Sequence, residues 1–168
     1  MANTKPVVGI IFGSDSDVPT VEAAVKMLKE FELGYEVRVL SAHRTPDLVA
    51  EYARSAANRG LKVILAAAGM SAALPGVVAA HTPLPVIGIP VASGALAGID
   101  ALLAISQMPP GVPVAAVTIG SPGAKNAALL AVRILALSDQ NLAGKLQAFN
   151  QKQKDDVIAR DRKIQDSL

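Results

Sequence analysis

Val7-Val8-Gly9-Ile10-Ile11-Phe12-Gly13-Ser14-Asp15-Ser16-Asp17 is the stretch on which the fold turns. Residues 7–12 form an unbroken apolar run, as in a strand buried on both faces. Gly, Ser and Asp then make a turn. Residues 18–31 follow as a helix, with Val21, Val25 and Leu28 on one stripe. Gly34 closes this unit, and residues 35–40 begin a second strand. After a loop over 41–45, Thr45-Pro46-Asp47 reads as a helix start. It offers a capping hydroxyl, a proline at the first helical position and an acid in the first turn. That helix runs to Arg59 and stops at Gly60.

The alternation continues. Residues 63–68, 86–91 and 114–119 supply strands three to five. Residues 69–76 form a small-residue loop, followed by a short helix over 77–80. A helix over 96–107 is broken by Pro109-Pro110-Gly111, and Ser121-Pro122-Gly123 is a turn before an Ala/Leu-rich helix over 124–137. From Asp139 the chain is polar and helical, with Leu142, Leu146 and Phe149 on one side. Residues 152–163 mix both signs of charge and read as a solvated helix that frays. Strands alternating with helices specify an α/β fold with a parallel sheet covered on both faces and right-handed crossovers. No linker or repeat divides the 168 residues. One domain is expected, with a core over 6–137 and a helical extension over 139–165.

Composition narrows the function. There is no cysteine, which removes disulfides, thiolate metal sites and a cysteine nucleophile. Only 18% of residues are charged and 51% are hydrophobic, against roughly 25% charged in ordinary domains. From Val63 to Ala124, Asp100 is the only formal charge. Gly69, Ser71, Pro75 and Gly76 interrupt that block, so it does not read as a membrane span. The start, Met1 to Lys5, lacks a signal-peptide pattern. The net charge of +2 gives no nucleic-acid footprint. These features predict a soluble cytoplasmic protein with large apolar subunit interfaces.

In a parallel sheet, ligands sit beyond the carboxyl ends of the strands. That rule selects the loops after strands one, two and three. The first, residues 13–17, opens a helix and offers Ser14 and Ser16 as donors for an anion. Asp15 and Asp17 would repel a phosphate, so one of them caps the helix or accepts from a sugar hydroxyl. A capping turn without a ligand is the alternative. No dinucleotide fingerprint or Walker loop is present. The second loop holds Ser41, His43 and Arg44. Arg44 has the planar fork of donors that suits phosphate, and His43 can give and take a proton near neutral pH. The third, residues 69–76, has no ionisable group and can serve as a shaped, dry wall. His81 lies in a helix-to-strand connection and reads as structural or interfacial. Lys125 and Asn126 read as capping residues. Two distant histidines and scattered acids do not make a metal site.

With these loops read, the chain resembles the phosphoribosylaminoimidazole carboxylase catalytic-subunit family, class I, which includes 5-(carboxyamino)imidazole ribonucleotide mutases of purine biosynthesis. Gly13-Ser14-Asp15-Ser16-Asp17 and Ser41-Ala42-His43-Arg44-Thr45-Pro46 carry the resemblance. So do Leu74-Pro75-Gly76-Val77-Val78-Ala79-Ala80, Leu84-Pro85-Val86-Ile87-Gly88-Ile89-Pro90-Val91 and Gln107-Met108-Pro109-Pro110-Gly111-Val112-Pro113-Val114. It extends from residue 7 to about residue 137.

The resemblance implies a three-layer flavodoxin-like fold and a homo-octamer. It also implies a small ribonucleotide substrate and a reaction without cofactor or metal, with no part for nucleic acid or membrane. The implied reaction is an isomerisation that moves a carboxyl group from the exocyclic nitrogen to ring carbon four, by decarboxylation and recarboxylation. By carry-over, His43 is the general acid/base, and Ser14, Asp17 and Arg44 bind substrate. Ser16 and Ser41 assist at the phosphate, and Gly69, Ser71 and Leu74 line the ring end. One departure stands out: the mutase pattern commonly has His where this chain has Ala73, and direct carboxylases favour Ser near position 71, as here. Direct carboxylation of aminoimidazole ribonucleotide is therefore the alternative chemistry. A non-catalytic nucleotide-binding module is the alternative class.

Overall fold

The structure is a computed structural model and describes residues 5–168; the reading of residues 1–4 as the start of a chain without a signal peptide lies outside it. Contacts divide the chain into two compact units, Met1–Ala131 and Val132–Leu168.

In the first unit, β1 (Val8–Phe12), β2 (Tyr35–Val39), β3 (Val63–Gly69), β4 (Val86–Val91) and β5 (Ala115–Ala116) form one sheet. Its order is β2-β1-β3-β4-β5, and every pairing is parallel. This is the flavodoxin-like order. The inner strands β1 and β4 are buried throughout, as their unbroken apolar runs require. The helices α1 (Val18–Glu30), α2 (Pro46–Arg59), α3 (Leu74–Ala80) and α4 (Ile99–Ser106) fill the connections. α2 ends at Gly60 in the left-handed region (φ 100°), the cap expected of it. Ile10 is fully buried at the centre of β1. Ile10→Ala should destabilise the fold by about 2–5 kcal/mol, read as a lowered denaturation midpoint; a change near zero would show that this strand is not the core.

Several boundaries differ from the sequence expectations, each for a physical reason. The expected strand over 114–119 shrinks to Ala115–Ala116, both exposed, because this edge pairs with β4 alone. The expected helix over 96–107 begins only at Ile99. Gly98 at φ 91° and Ala97 at φ 50° reverse the chain first. The turn expected at Ser121-Pro122-Gly123 is instead the start of α5 (Gly120–Ala136), since proline is tolerated in a first helical turn. For the same reason α3 starts at Leu74, with Pro75 among its first residues, and not at 77. Thr45 occupies the cap position of α2 without capping it by its side chain. Its hydroxyl instead bonds back to Ser41, accepting from the amide at 3.0 Å and donating to the carbonyl at 3.1 Å.

The second unit contains α6 (Gln140–Gln165). Asp139 caps it, its carboxylate accepting from the Leu142 amide at 3.0 Å. The helix continues to Gln165, and every side chain from Gln151 onward is exposed. Among the described residues no helix is long and apolar enough to cross a membrane.

Candidate active site

The three loops singled out by the carboxyl-end rule converge on one open cavity of about 540 Å³. It lies wholly within the first unit. Ser14, Ser16, Asp17, Ser41, His43, Arg44, Gly69, Ser71 and Leu74 all line it. The strand order explains the convergence: β2, β1 and β3 are consecutive neighbours, so their carboxyl-terminal loops are adjacent.

The first loop is a single 3-10 turn, Asp15–Asp17, ahead of α1. Ser14 is its hub. The Ser14 hydroxyl accepts from the Ser16 amide at 3.3 Å and from the Ser16 hydroxyl at 2.9 Å, and donates to the Asp15 carboxylate at 3.1 Å. The Ser16 amide also donates to that carboxylate at 3.1 Å, and the Asp17 amide to the Ser14 carbonyl at 3.0 Å. The Ser16 and Asp17 amides are thus engaged inside the loop. What remains toward the cavity are hydroxyls that can turn. Asp15 is exposed and lies outside the cavity lining, whereas Asp17 is buried and lines it. Neither caps α1 through a side-chain hydrogen bond. The turn therefore separates two acids that local spacing leaves equivalent, and it places toward the cavity the one, Asp17, that the resemblance implied.

Burial pushes the Asp17 carboxyl above its ordinary pKa, helped by the nearby Asp15 charge. Hydrogen bonds from the Ser14 and Gly13 backbone and the Ser16 hydroxyl oppose the shift without cancelling it. A carboxyl raised in the fold binds its proton more tightly there than in the unfolded chain. Its stabilising contribution is present at low pH and is lost as pH rises through the folded value. The stability of wild type relative to Asp17→Asn should therefore improve as pH falls from neutral toward 4. Chemical denaturation of both proteins across that range tests the sign; a relative loss for wild type on acidification would refute it.

The second loop is held to the first by Arg44. Its Nη2 donates to the Gly13 carbonyl at 2.6 Å and its Nε to the Ser41 hydroxyl at 3.4 Å. The Arg44 amide also donates to that hydroxyl at 3.3 Å. Nη1 has no partner among the described residues, so one end of the fork faces outward with its donors unspent. His43 beside it is exposed at the cavity rim. In the third loop, Met70 takes a positive φ of 54°, which turns Met70 and Ser71 outward while Ala72 and Leu74 stay buried. The wall is thus apolar at its base and polar at its lip.

Ser93 lines the same cavity and was missed. It follows β4, and the carboxyl-end rule would have reached it had it been extended to the fourth strand. His81 is elsewhere. It follows α3, half buried, and shares a separate groove of about 600 Å³ with Asp47, Glu51 and Arg54. Lys125 and Asn126 are exposed in α5 and do not line the cavity. Among the described residues no three His, Asp or Glu side chains are gathered so as to hold a metal ion.

The chain's relatives agree in kind. The family model described as AIR carboxylase matches residues 7–156. The N5-carboxyaminoimidazole ribonucleotide mutase of Mycobacterium tuberculosis is 55% identical over 164 residues, covering 98% of this chain and 93% of that protein. The protein of the same name from Pyrococcus abyssi is 55% identical over 149 residues, covering 89% and 84%. Among solved structures, Treponema denticola PurE superposes with a TM-score of 0.85 at 33% identity, covering 94% of this chain and 98% of that one.

Proposed function

The chain belongs to the AIR carboxylase family, and from that premise we propose that it is an isomerase of purine biosynthesis. It converts 5-(carboxyamino)imidazole ribonucleotide to 4-carboxy-5-aminoimidazole ribonucleotide. The observation that carries the reading is the convergence of His43, Arg44 and the two serines of the first loop on one cavity backed by an uncharged wall.

The chemistry follows from those groups. The ribonucleotide phosphate docks against Arg44, with Ser14, Ser16 and Ser41 supplying hydroxyl donors. Asp17, inside the cavity, accepts from a ribose hydroxyl. The carboxyl group leaves the exocyclic nitrogen as carbon dioxide, and His43 gives the proton that nitrogen needs. Ring carbon four then attacks the captive carbon dioxide, and the ring proton passes back to His43. One proton is taken up and one returned, so a single imidazole serves both steps. The Ala72–Leu74 side of the wall keeps water from the intermediate. Gly69, Ser71 and Leu74 line the ring end.

Turnover tests the reading. Protein is mixed with carboxyaminoimidazole ribonucleotide, and separately with aminoimidazole ribonucleotide plus bicarbonate, and product is followed by ultraviolet absorbance. Efficient use of the first alone supports the isomerase. Efficient use of the second at physiological bicarbonate would indicate direct carboxylation, and use of neither a nucleotide-binding module. We further propose a homo-octamer acting in the cytoplasm. Leu96, Ile99 and Leu103 in the first unit are all at least half exposed in the isolated chain, an apolar set that suits burial against another copy. Mass measurement in solution and cell fractionation test these two points.

A further inference from the structure

We infer that Ser93 contacts the substrate, its hydroxyl donating a hydrogen bond to the carboxyl group that is moved. The inference rests on the isomerase reading above. Ser93 lies just past β4, whose last residue, Val91, is in register with Gly69 of β3. A Cβ placed on Gly69 would collide with the Ser93 Oγ. The serine hydroxyl thus fills the space that a side chain at 69 would take, and glycine is what lets it reach the cavity. Ser93 is half buried and lines the cavity. Among the described residues its hydroxyl has no hydrogen-bond partner. A half-buried hydroxyl facing the cavity without a partner has a donor to spend on a ligand.

Position selects the group it meets. Arg44 follows β2 and Asp17 follows β1, whereas Ser93 follows β4. Although its loop follows β2, the Arg44 guanidinium is seated on the Gly13 carbonyl just past β1. With strands ~4.8 Å apart, the ends of β1 and β4 are separated by roughly 10 Å, since only β3 lies between them. That separation is comparable to the reach of a ribonucleotide from phosphate to base. A phosphate at Arg44 leaves the imidazole and its carboxyl over the ends of β3 and β4. There the surroundings are Ala68, Gly69, Ala72 and Leu74, none with a polar side chain. A carboxylate brought into such a place needs a donor. Ser71 is out at the exposed lip; Ser93 is further in.

The experiment uses the full chain. Ser93→Ala should lower kcat/KM for carboxyaminoimidazole ribonucleotide by about 10- to 100-fold. Inhibition by aminoimidazole ribonucleotide, which lacks the carboxyl, should be unchanged and shows that the variant is folded. Gly69→Ala should reduce turnover too, by displacing the hydroxyl. Turnover of Ser93→Ala indistinguishable from wild type would overturn the inference. So would an equal loss of aminoimidazole ribonucleotide binding, which would mean that the residue does not address the carboxyl. Wild-type turnover, measured alongside, separates failure of the isomerase reading from failure of this one.

Discussion

Replacing His43 by Asn is expected to lower kcat by roughly 100- to 10,000-fold while ribonucleotide affinity stays close to that of wild type. His43 is the one imidazole lining the cavity, and both proton transfers of the proposed reaction pass through it. Asparagine keeps a polar planar group of similar size but cannot exchange a proton near neutral pH. His43 is exposed at the rim and makes no hydrogen bond that holds the loop together, so the substitution leaves the Arg44–Gly13 tie in place. Binding of aminoimidazole ribonucleotide should therefore survive, and the loss should appear in kcat. Turnover near wild type in His43→Asn would remove the general acid/base assignment. A parallel collapse of affinity would instead make His43 a binding residue.

Arg44→Ala should be the most damaging change to binding, with kcat/KM down by about 100- to 1,000-fold. Two effects combine. The variant loses the outward-facing fork intended for the phosphate. It also leaves the Gly13 carbonyl without its 2.6 Å donor and the Ser41 hydroxyl without its side-chain partner, which loosens the two loops that frame the cavity. Arg44→Lys should restore part of the activity by returning a charge, but not the planar fork that serves phosphate and Gly13 together. The corresponding nucleoside, which has no phosphate, separates the two effects. Its loss of affinity from wild type to Arg44→Ala reports the loosened loops alone, and the larger loss shown by the nucleotide reports the missing phosphate contact. If Arg44→Ala binds nucleotide as well as wild type does, the phosphate has been assigned to the wrong end of the site.

Much of the site was legible because it depends on local signals joined by a topological rule. The apolar run over 7–12 and the Gly-Ser-Asp turn identify β1 and its loop. The same rule applied to the strands before Ser41 and Gly69 selects two more loops, and these three face one cavity. Ser93 was not found because the rule was applied to three strands only; carried to β4 it selects the loop, though nothing in Val91-Ala92-Ser93-Gly94 marks which residue enters the cavity. Its meaning comes from Gly69, at the end of the preceding strand β3, whose missing side chain makes room for it. The helix starts at Leu74 and Gly120 were misplaced for a related reason: proline and glycine read as breakers locally, yet both are accepted in a first turn when the rest of the helix packs.

The sequence by itself determined the parallel α/β architecture, the uncharged block that supplies its inner strands, and the residue types on which the chemistry depends. Hydrophobic periodicity and strand-end topology are short-range properties, and a single chain displays them. The resemblance pointed to Asp17, but only the tertiary structure supplied the physical reason that this acid and not Asp15 enters the cavity. Local spacing does not separate the two, whereas the 3-10 turn exposes Asp15 and buries Asp17, raising its pKa. The tertiary structure also decided that Arg44 spends one donor tying its loop to Gly13 and another on Ser41 within its own loop, and that Thr45 bonds Ser41 and not the helix it begins. These are choices among competing hydrogen bonds of similar strength. The placement of neighbouring strands and loops settles them, and that information is spread over residues far apart in the chain.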